Sequence, residues 1–293
     1  MANQNKTTEP LTQRLDALVQ ARPEMKAIAD YYRVILPLIN QTDLAAAPLK
    51  LPREATEEKL QAGIPLLHGE PLECDHDAAR ALMLALARAA ETRQPAAREI
   101  RAAVEQNKTD LRALLAAVVA GDVEAVNASA QSLNLNSALL WTLAQNTFKP
   151  ALRAWHKQLA EGARLDYWKR AYCYLCGAAP AYGELQGNEQ ARHLRCGQCG
   201  ADWFYERMRC VYCGRGRALN FLYVDAQRDR MHAQTCENCK GYFKNVAAFS
   251  PTPAEMLALV DLETLHLDYI AQDHGFARQA IREFVDTMPA VVE

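Results

Sequence analysis

Eight of the nine cysteines in the chain form four Cys-x-x-Cys pairs, and the ninth, Cys74, lies far from them. A tight turn between two cysteines three residues apart can present both sulfurs to one metal ion. A tetrahedral thiolate site takes four ligands, so two pairs must meet at each ion, and four pairs complete two sites with no ligand left over. The predicted metal ligands are Cys173, Cys176, Cys196, Cys199, Cys210, Cys213, Cys236 and Cys239.

The loop lengths between the pairs favour grouping in chain order. That grouping closes loops of 19 and 22 residues, crossed grouping closes loops of 33 and 36, and nested grouping closes loops of 59 and 10. The chain-order loops are the shorter ones overall and therefore lose less entropy on closure, and consecutive pairs allow each module to fold alone. Chain order is our prediction, and crossed and nested grouping remain the alternatives.

An internal repeat supports the same grouping. Residues 170–177 align with residues 207–214 at an offset of 37, which indicates a duplicated ribbon module. Glycine follows the second cysteine in three of the four pairs, where such a turn needs a positive φ angle. Lys240 occupies this place in the fourth pair, which indicates a distorted fourth turn.

The spacing does not distinguish zinc from a single iron atom, since both accept four thiolates. We interpret the ions as structural, because metal binding can supply on the order of 10 kcal/mol of folding free energy per site. A structural role is compatible with a redox role. Dithiol exchange would need a metal-free, exposed thiolate of lowered pKa, and eight paired ligands argue against it.

The elements around the cysteines predict an α+β chain: an all-helical N-terminal domain, two tandem rubredoxin-like or zinc-ribbon modules, and a C-terminal helix. The predicted boundaries are residues 1–164, 165–204, 205–250 and 251–293. Short runs of aromatic and β-branched residues at 203–205 and 220–224 predict strands between the cysteine turns. The returning helical period after residue 253 predicts one or two helices that pack back on the body.

The N-terminal domain carries apolar stripes with the helical period, and each stripe needs a partner helix. Shorter helices are predicted at 27–39, 96–107 and 111–119, with Pro37 among the residues that separate them. Pro150 should kink or split the helix that carries the third stripe. The three stripes are Leu11, Leu15, Leu18 and Val19; Ala79, Leu82, Met83, Leu86, Ala87 and Ala90; and Leu140, Leu143, Ala144, Phe148, Leu152, Trp155 and Leu159.

Composition and motifs restrict the function. The net charge is −2, no apolar run is long enough to span a membrane, and the polar N-terminus lacks the apolar core of a signal peptide, which predicts a cytoplasmic protein. The chain has no phosphate-binding loop, dinucleotide-binding glycine motif, His-Glu-x-x-His or nucleophile elbow, so we predict no enzymatic activity. Cys74 lies at a predicted helix start, where the helix dipole could lower its pKa, but we interpret it as an ordinary free thiol.

Nucleic-acid binding is the alternative use of such ribbons. Residues 164–250 contain 13 basic and 8 acidic side chains, but two divalent ions, each held by four thiolates, would cancel most of this excess. An arginine-rich stretch also follows three aromatic residues, an arrangement that can stack bases. We interpret these residues instead as strand packing and neutralisation of the thiolates. They are Trp203, Phe204, Tyr205, Arg207, Arg209, Arg215 and Arg217.

The cysteine segments resemble those of the formate dehydrogenase accessory protein family, FdhE. The resemblance implies a cytoplasmic, non-catalytic protein with rubredoxin-like iron sites that binds the catalytic subunit of respiratory formate dehydrogenases during their maturation. It implies neither a nucleic-acid partner nor membrane insertion, and it leaves self-association open. The segments that carry it are Cys173-Tyr-Leu-Cys-Gly-Ala-Ala-Pro180, His193-Leu-Arg-Cys-Gly-Gln-Cys-Gly-Ala-Asp-Trp203, Arg207-Met-Arg-Cys-Val-Tyr-Cys-Gly214, Cys236-Glu-Asn-Cys-Lys-Gly-Tyr-Phe-Lys244 and Asp261-Leu-Glu-Thr-Leu-His-Leu-Asp268.

Overall fold

The structure is a computed structural model that describes residues 5–223 and 230–279. The chain divides into two units, residues 1–51 with 67–162 and residues 52–66 with 163–293. The predicted helical domain, 1–164, thus differs from the observed division at two places: residues 52–66 and residues 163–164 belong to the cysteine-rich unit. The end of the strand predicted at 220–224 lies outside the described residues.

The first unit is built from helices. Aspartate or asparagine side chains cap the helices that begin at residues 76, 111, 123 and 137 by accepting hydrogen bonds from first-turn amides. The helices that precede the sheet are α1 (Asn5–Ala21), α2 (Lys26–Gln41), α3 (Arg53–Ala62), α4 (His76–Glu91), α5 (Ala97–Glu105), α6 (Leu111–Ala120), α7 (Val123–Ser132) and α8 (Ser137–Leu159), of which α3 belongs to the second unit.

Helix α4 contacts α2, α5, α6 and α8, so its apolar stripe lies at the centre of the first unit. All six predicted stripe residues of α4 are buried, and so are most of those on α1 and α8. Hydrophobic burial on this scale is what stabilises a bundle of helices with modest intrinsic propensity. The predicted helical domain type is confirmed, although the sequence reasoning did not identify α3 and α7.

Two prolines predicted to interrupt helices lie inside helices that continue past them. Pro37 lies inside α2, and Pro150 lies inside α8, which runs unbroken for 23 residues. A proline removes one backbone hydrogen bond and crowds the preceding turn. The buried side chains on both sides of Pro150, Phe148 and Leu152 among them, pack on one continuous face and offset this loss.

The second unit contains one six-stranded sheet that joins both cysteine modules. The first module contributes β1 (Tyr182–Gln186), β2 (Ala191–Arg195) and β3 (Asp202–Phe204), and the second contributes β4 (Leu219–Leu222), β5 (Met231–Cys236) and β6 (Gly241–Ala248). The order is β3-β2-β1-β6-β5-β4, antiparallel except for the parallel pair β1 and β6.

The parallel β1–β6 pair is where the two modules meet. Its register runs from Gly183 opposite Asn245 to Gln186 opposite Ala248. Gly183 is required there because a Cβ atom would collide with the buried Asn245 side chain. The modules therefore share a hydrogen-bonded core instead of standing as separate ribbons.

Two short helices, α9 (Leu257–Glu263) and α10 (Leu265–Asp273), pack on this sheet as predicted. Leu257 and Val260 pack with Tyr182 of β1, while Leu267 and Ala271 pack with β5 and β6. No helix within the described residues is both long and apolar enough to cross a membrane.

A buried ionic cluster fastens α9 and α10 to β6. The Lys244 ammonium lies 2.6 Å from Asp261 Oδ1 and 2.7 Å from Asp268 Oδ2, and the Tyr242 hydroxyl donates to Asp268 Oδ1 at 2.8 Å. Lys244 is 2% exposed, so the two carboxylates supply the charge compensation that a buried ammonium requires. The acidic residues of segment 261–268 thus hold the terminal helices in place.

Candidate metal centres

The eight predicted ligands form two clusters of four. One contains Cys173, Cys176, Cys196 and Cys199, the other contains Cys210, Cys213, Cys236 and Cys239, and within each cluster the sulfur atoms lie within 4.8 Å of one another. We refer to them as cluster 1 and cluster 2. The structure thus brings the pairs together in chain order, which is the grouping with the shorter loops.

The distances between sulfurs fit a tetrahedral metal site. In cluster 1 the Sγ atoms of Cys173 and Cys199 are 3.5 Å apart, and those of Cys176 lie 3.6 and 3.7 Å from Cys196 and Cys199. Four thiolates about 2.3 Å from one ion lie about 3.8 Å from each other, whereas a disulfide bond is about 2.05 Å long. Each cluster can therefore hold one metal ion.

Cluster 2 has the same sulfur geometry. The Sγ atoms of Cys210 and Cys239 are 3.7 Å apart, as are those of Cys213 and Cys236. These two distances join a sulfur of the third turn to a sulfur of the fourth, so both turns face one point. The two clusters thus offer equivalent sets of ligands.

Backbone turns position the sulfurs. In the first turn Gly177 N–H donates to Cys173 O at 3.0 Å, and Cys173 N–H donates to Ala178 O at 2.9 Å. The turns that begin at Cys196 and Cys210 repeat both bonds. Leu175 N–H also donates to Cys173 Sγ at 3.4 Å, which helps to hold this sulfur in place.

The glycines after the second cysteine have φ angles of 76°, 80° and 71°, and Lys240 has 54° at the same place in the fourth turn. Lysine thus adopts the left-handed conformation that glycine adopts elsewhere, at a cost of about 1–2 kcal/mol. Lysine in place of glycine was expected to distort the fourth turn. At this place the turn instead keeps the left-handed φ angle of the other three, and the cost is the strain at Lys240.

Two segments distant in sequence cover cluster 1. Leu66 N–H donates to Tyr174 O at 2.9 Å, and the Tyr172 hydroxyl donates to Gly63 O at 2.6 Å, so residues 63–66 lie against the first turn. At the second turn, Gly200 approaches Ala254 so closely that a Cβ atom would lie 2.5 Å from the Ala254 Cβ. All four cysteines of cluster 1 are consequently buried.

A buried ion pair holds the second of these segments. Arg195 pairs with Glu184 at 2.5 Å and donates to Thr252 O at 2.6 Å, while Thr252 N–H donates to Glu184 at 3.3 Å. Arg195 and Glu184 are both nearly inaccessible to solvent. Because breaking one member of such a pair leaves a buried charge uncompensated, the segment that carries Ala254 is firmly attached.

Cluster 2 is open on one side. Cys210 and Cys236 are buried, Cys239 is partly buried and Cys213 is exposed. The C-terminal segment covers the fourth turn, where Ala277 N–H donates to Lys240 O at 2.9 Å and Gln279 donates to Cys239 O at 3.2 Å. Two clusters with the same ligands thus differ in their access to solvent.

In cluster 1 the cysteines share charge unequally: hydrogen bonds from the neighbouring thiols lower the pKa of Cys196, whereas burial opposes a thiolate at other positions. Loss of hydration raises the pKa of the Cys199 thiol well above its usual range, with the neighbouring sulfurs adding to the effect. A metal ion reverses this preference, because a coordinating thiol is deprotonated. The donor set is thus chemically suited to a metal ion.

We expect Gly200→Ala to destabilise the cysteine-rich unit by about 2–5 kcal/mol, since the left-handed φ and the collision with Ala254 add together. Gly187→Ala is the matched control: Gly187 also has a positive φ, but a Cβ there meets nothing within 4 Å, so it should cost about 1–2 kcal/mol. Urea unfolding of both variants measures the difference. Equal losses would show that Ala254 does not press on the second turn.

The cysteine and histidines left out of the predicted sites lie outside both clusters. Burial, followed by the carboxylates of Asp75 and Glu73, raises the pKa of Cys74 to about 11, as befits an unreactive thiol. Burial, followed by the nearby arginines, lowers the pKa of His232 to about 4, so its ring stays neutral at neutral pH. His193 instead contacts Asp202 at 2.5 Å.

The aromatic run at residues 203–205 was expected either to stack on bases or to pack within strands. Two of its three side chains are packed in the core. Trp203 and Tyr205 are buried, at 1% and 6% exposure, while Phe204 is 48% exposed. Arg209 lies over the Tyr205 ring and donates to Gly214 O at 3.0 Å. Most of the proposed stacking surface is thus part of the protein core.

Sequence reasoning did not find the residues that cover cluster 1. Gly63 and Leu66 precede the first cysteine turn by more than 100 residues, and their contacts to Tyr172 and Tyr174 are made by backbone atoms. Backbone contacts leave no pattern of residue types. Tyr172 and Tyr174, which flank Cys173, are the local sequence feature that could have indicated a covering segment.

A family described as "FdhE, C-terminal domain" matches residues 208–285. A protein FdhE homolog of Pseudomonas aeruginosa is 31% identical over 134 residues, 43% of each chain. Protein FdhE of Escherichia coli is 32% identical over 126 residues, which cover 42% of this chain and 40% of that protein. These matches span less than half the length of the curated relatives.

The fold comparison extends further. The crystal structure of the FdhE protein from Pseudomonas aeruginosa matches with a TM-score of 0.62 and 25% identity, over 94% of this chain and 95% of that one. The helical unit, the sheet with its two clusters and the terminal helices are thus all included in a fold similar to that of an FdhE protein. The resemblance to the FdhE family is therefore confirmed: this chain is similar to FdhE proteins by sequence over residues 208–285 and by fold along nearly its whole length.

Proposed function

We propose that this chain is a metal-binding accessory protein required for the maturation or activity of respiratory formate dehydrogenase. The observation that carries the proposal is the pair of four-cysteine clusters within a fold similar to that of an FdhE protein over 94% of the chain. The protein acts in the cytoplasm and has no enzymatic activity of its own. Its client is the catalytic subunit of the dehydrogenase.

Each cluster holds one mononuclear metal ion, iron in a rubredoxin-like site or zinc. The four thiolates of cluster 1 and the four of cluster 2 are the ligands. Bound iron would supply one-electron chemistry, whereas bound zinc would be purely structural or exchangeable. An optical spectrum of protein purified without oxygen distinguishes the two, since thiolate-bound iron absorbs visible light and thiolate-bound zinc does not.

The client binds at the open side of cluster 2. Arg215 and Arg217 are exposed beside the exposed Cys213, and among the described residues neither guanidinium has an acidic partner. Arginine is enriched at protein interfaces, where it can pair with the acidic groups of a partner. This surface therefore offers positive charge that no acidic side chain of the described residues pairs with.

We expect Arg215→Glu combined with Arg217→Glu to keep the fold and both ions but to weaken retention of the formate dehydrogenase subunit by about tenfold or more, since interface arginines often contribute more than about 1 kcal/mol each. Pull-down from cytoplasmic extract with a quantified subunit band measures this. The matched control is Lys50→Glu with Lys108→Glu, which changes the net charge equally on exposed residues of the helical unit. Undiminished capture by the arginine variant would place the client elsewhere.

The same pull-down tests nucleic-acid binding, the alternative function. An accessory protein should retain the dehydrogenase subunit without nucleic acid, whereas a ribbon that reads nucleic acid should retain nucleic acid in a salt-dependent manner. The burial of Trp203 and Tyr205 argues against the alternative, because buried rings cannot stack on bases.

A further inference from the structure

The two clusters differ in what an incoming molecule must displace to reach a sulfur. In cluster 1 the exposed fractions are 0% for Cys173, 4% for Cys176, and 0% for both Cys196 and Cys199. In cluster 2 Cys213 is exposed without any rearrangement. A competing ligand can therefore approach one cluster directly and the other only after local opening of the protein.

Opening cluster 1 requires the release of several buried contacts. The first turn is covered by the bond from the Tyr172 hydroxyl to Gly63 O and by that from Leu66 N–H to Tyr174 O. The second turn is covered by Ala254, in a segment held by the buried Arg195 and Glu184 pair. Local openings that break buried contacts of this kind are rare, so they slow any exchange that depends on them.

Within residues 5–223 and 230–279, no such cover lies over the third turn, which belongs to cluster 2. Arg209 and Tyr205 contact the backbone there, through Gly214 O and Cys210 O, and leave Cys213 accessible to solvent, whereas every cysteine of cluster 1 is buried. The two exposed arginines beside it attract anionic ligands, thiolates included. Cys213 is thus both accessible to an incoming ligand and close to positive charge that attracts an anionic one.

We propose that cluster 2 is an exchangeable metal site, entered at Cys213, and that cluster 1 holds its ion permanently. The exchange partner is a thiol of a small molecule or of another protein. Its sulfur bonds to the ion as the bond from Cys213 breaks, the proton of the incoming thiol passes to the departing Cys213 thiolate, and no electron is transferred. The inference rests on the proposed occupancy of both clusters by metal.

The test uses the full chain saturated with zinc and mixed with the colorimetric chelator pyridylazoresorcinol. We expect two phases of equal amplitude, with the slow phase at least about tenfold slower, which corresponds to about 1.4 kcal/mol in opening free energy. Release of both ions at one rate would overturn the inference. A chain that binds fewer than two zinc ions at saturation would instead contradict the proposed function.

Two variants assign the phases. Cys213→Ser should remove the fast phase and leave the slow one, whereas a fast phase that persists in this variant would place the exchangeable ion in cluster 1. Tyr172→Phe removes the hydroxyl that contacts Gly63 O, so it should accelerate the slow phase alone. If the slow phase is unchanged in Tyr172→Phe, the contact of residues 63–66 with the first turn is not what slows zinc release from cluster 1.

Alkylation of the unmodified chain gives a readout that needs no variant. Iodoacetamide followed by peptide mass spectrometry should label Cys213 first and leave all four cysteines of cluster 1 protected while the slow phase persists. Equal labelling of Cys176, which occupies the corresponding place in the first turn, would contradict the inference.

Discussion

Replacing Cys173 and Cys176 with serine should lower the metal content from two ions per chain to one and leave the ion of cluster 2 in place. The two clusters share no ligand, and a structural thiolate site contributes on the order of 10 kcal/mol to folding. We therefore expect the first cysteine module to unfold in this variant. Metal analysis of anaerobically purified protein, with circular dichroism to follow the helices, measures both effects.

The control is Cys74→Ser, which removes the one cysteine outside the clusters and should leave both ions bound. The reciprocal variant, Cys210→Ser with Cys213→Ser, should empty cluster 2 alone. Loss of both ions from either pair variant, with the helical unit still folded, would show that the clusters depend on each other. Such dependence could pass through the shared β1–β6 pair or through Arg192 of β2, which donates to Gln234 of β5 and to Arg209 O.

Replacing Lys244 with methionine should destabilise the cysteine-rich unit by about 3–5 kcal/mol, because it leaves the carboxylate of the buried Asp268 without its cation. Asp268 would keep only the hydrogen bond from Tyr242. Hydrogen exchange of β6 and α10 peptides in urea reports on this unit separately from the helical one.

Lys240→Met is the matched control on the same strand pair. Lys240 pairs with Glu237 at the surface, with side chains 63% and 42% exposed, and exposed pairs of this kind contribute at most about 1 kcal/mol. A loss of stability in Lys244→Met no larger than in Lys240→Met would mean that segment 261–268 does not anchor the terminal helices. Its acidic residues would then be free for another role.

The proposals for cluster 2 converge on one surface. Client binding is proposed at Arg215 and Arg217, and metal exchange is proposed at Cys213, two residues away from the first of them. A bound client would cover the exposed sulfur and slow the fast phase of zinc release. Cluster 1 would then serve as the fixed part of the cysteine-rich unit.

The sequence alone determined the local features of this protein. The Cys-x-x-Cys spacing identified the ligands, and the loop lengths between pairs favoured the chain-order grouping that the structure shows, because both act over short stretches of chain. The period of the apolar residues identified the stripes of α1, α4 and α8, since a helix repeats its buried face every few residues. The family resemblance came from the same cysteine segments.

Only the tertiary structure decided how the two modules join and which cluster is covered. The parallel pairing of β1 with β6 and the bond from Leu66 N–H to Tyr174 O both depend on backbone hydrogen bonds between distant segments, and such bonds are nearly independent of residue type. The continuity of α8 through Pro150 likewise depends on packing that outweighs a local preference. Duplicated turns with the same ligands thus became one closed and one open cluster, because burial is a property of the whole fold.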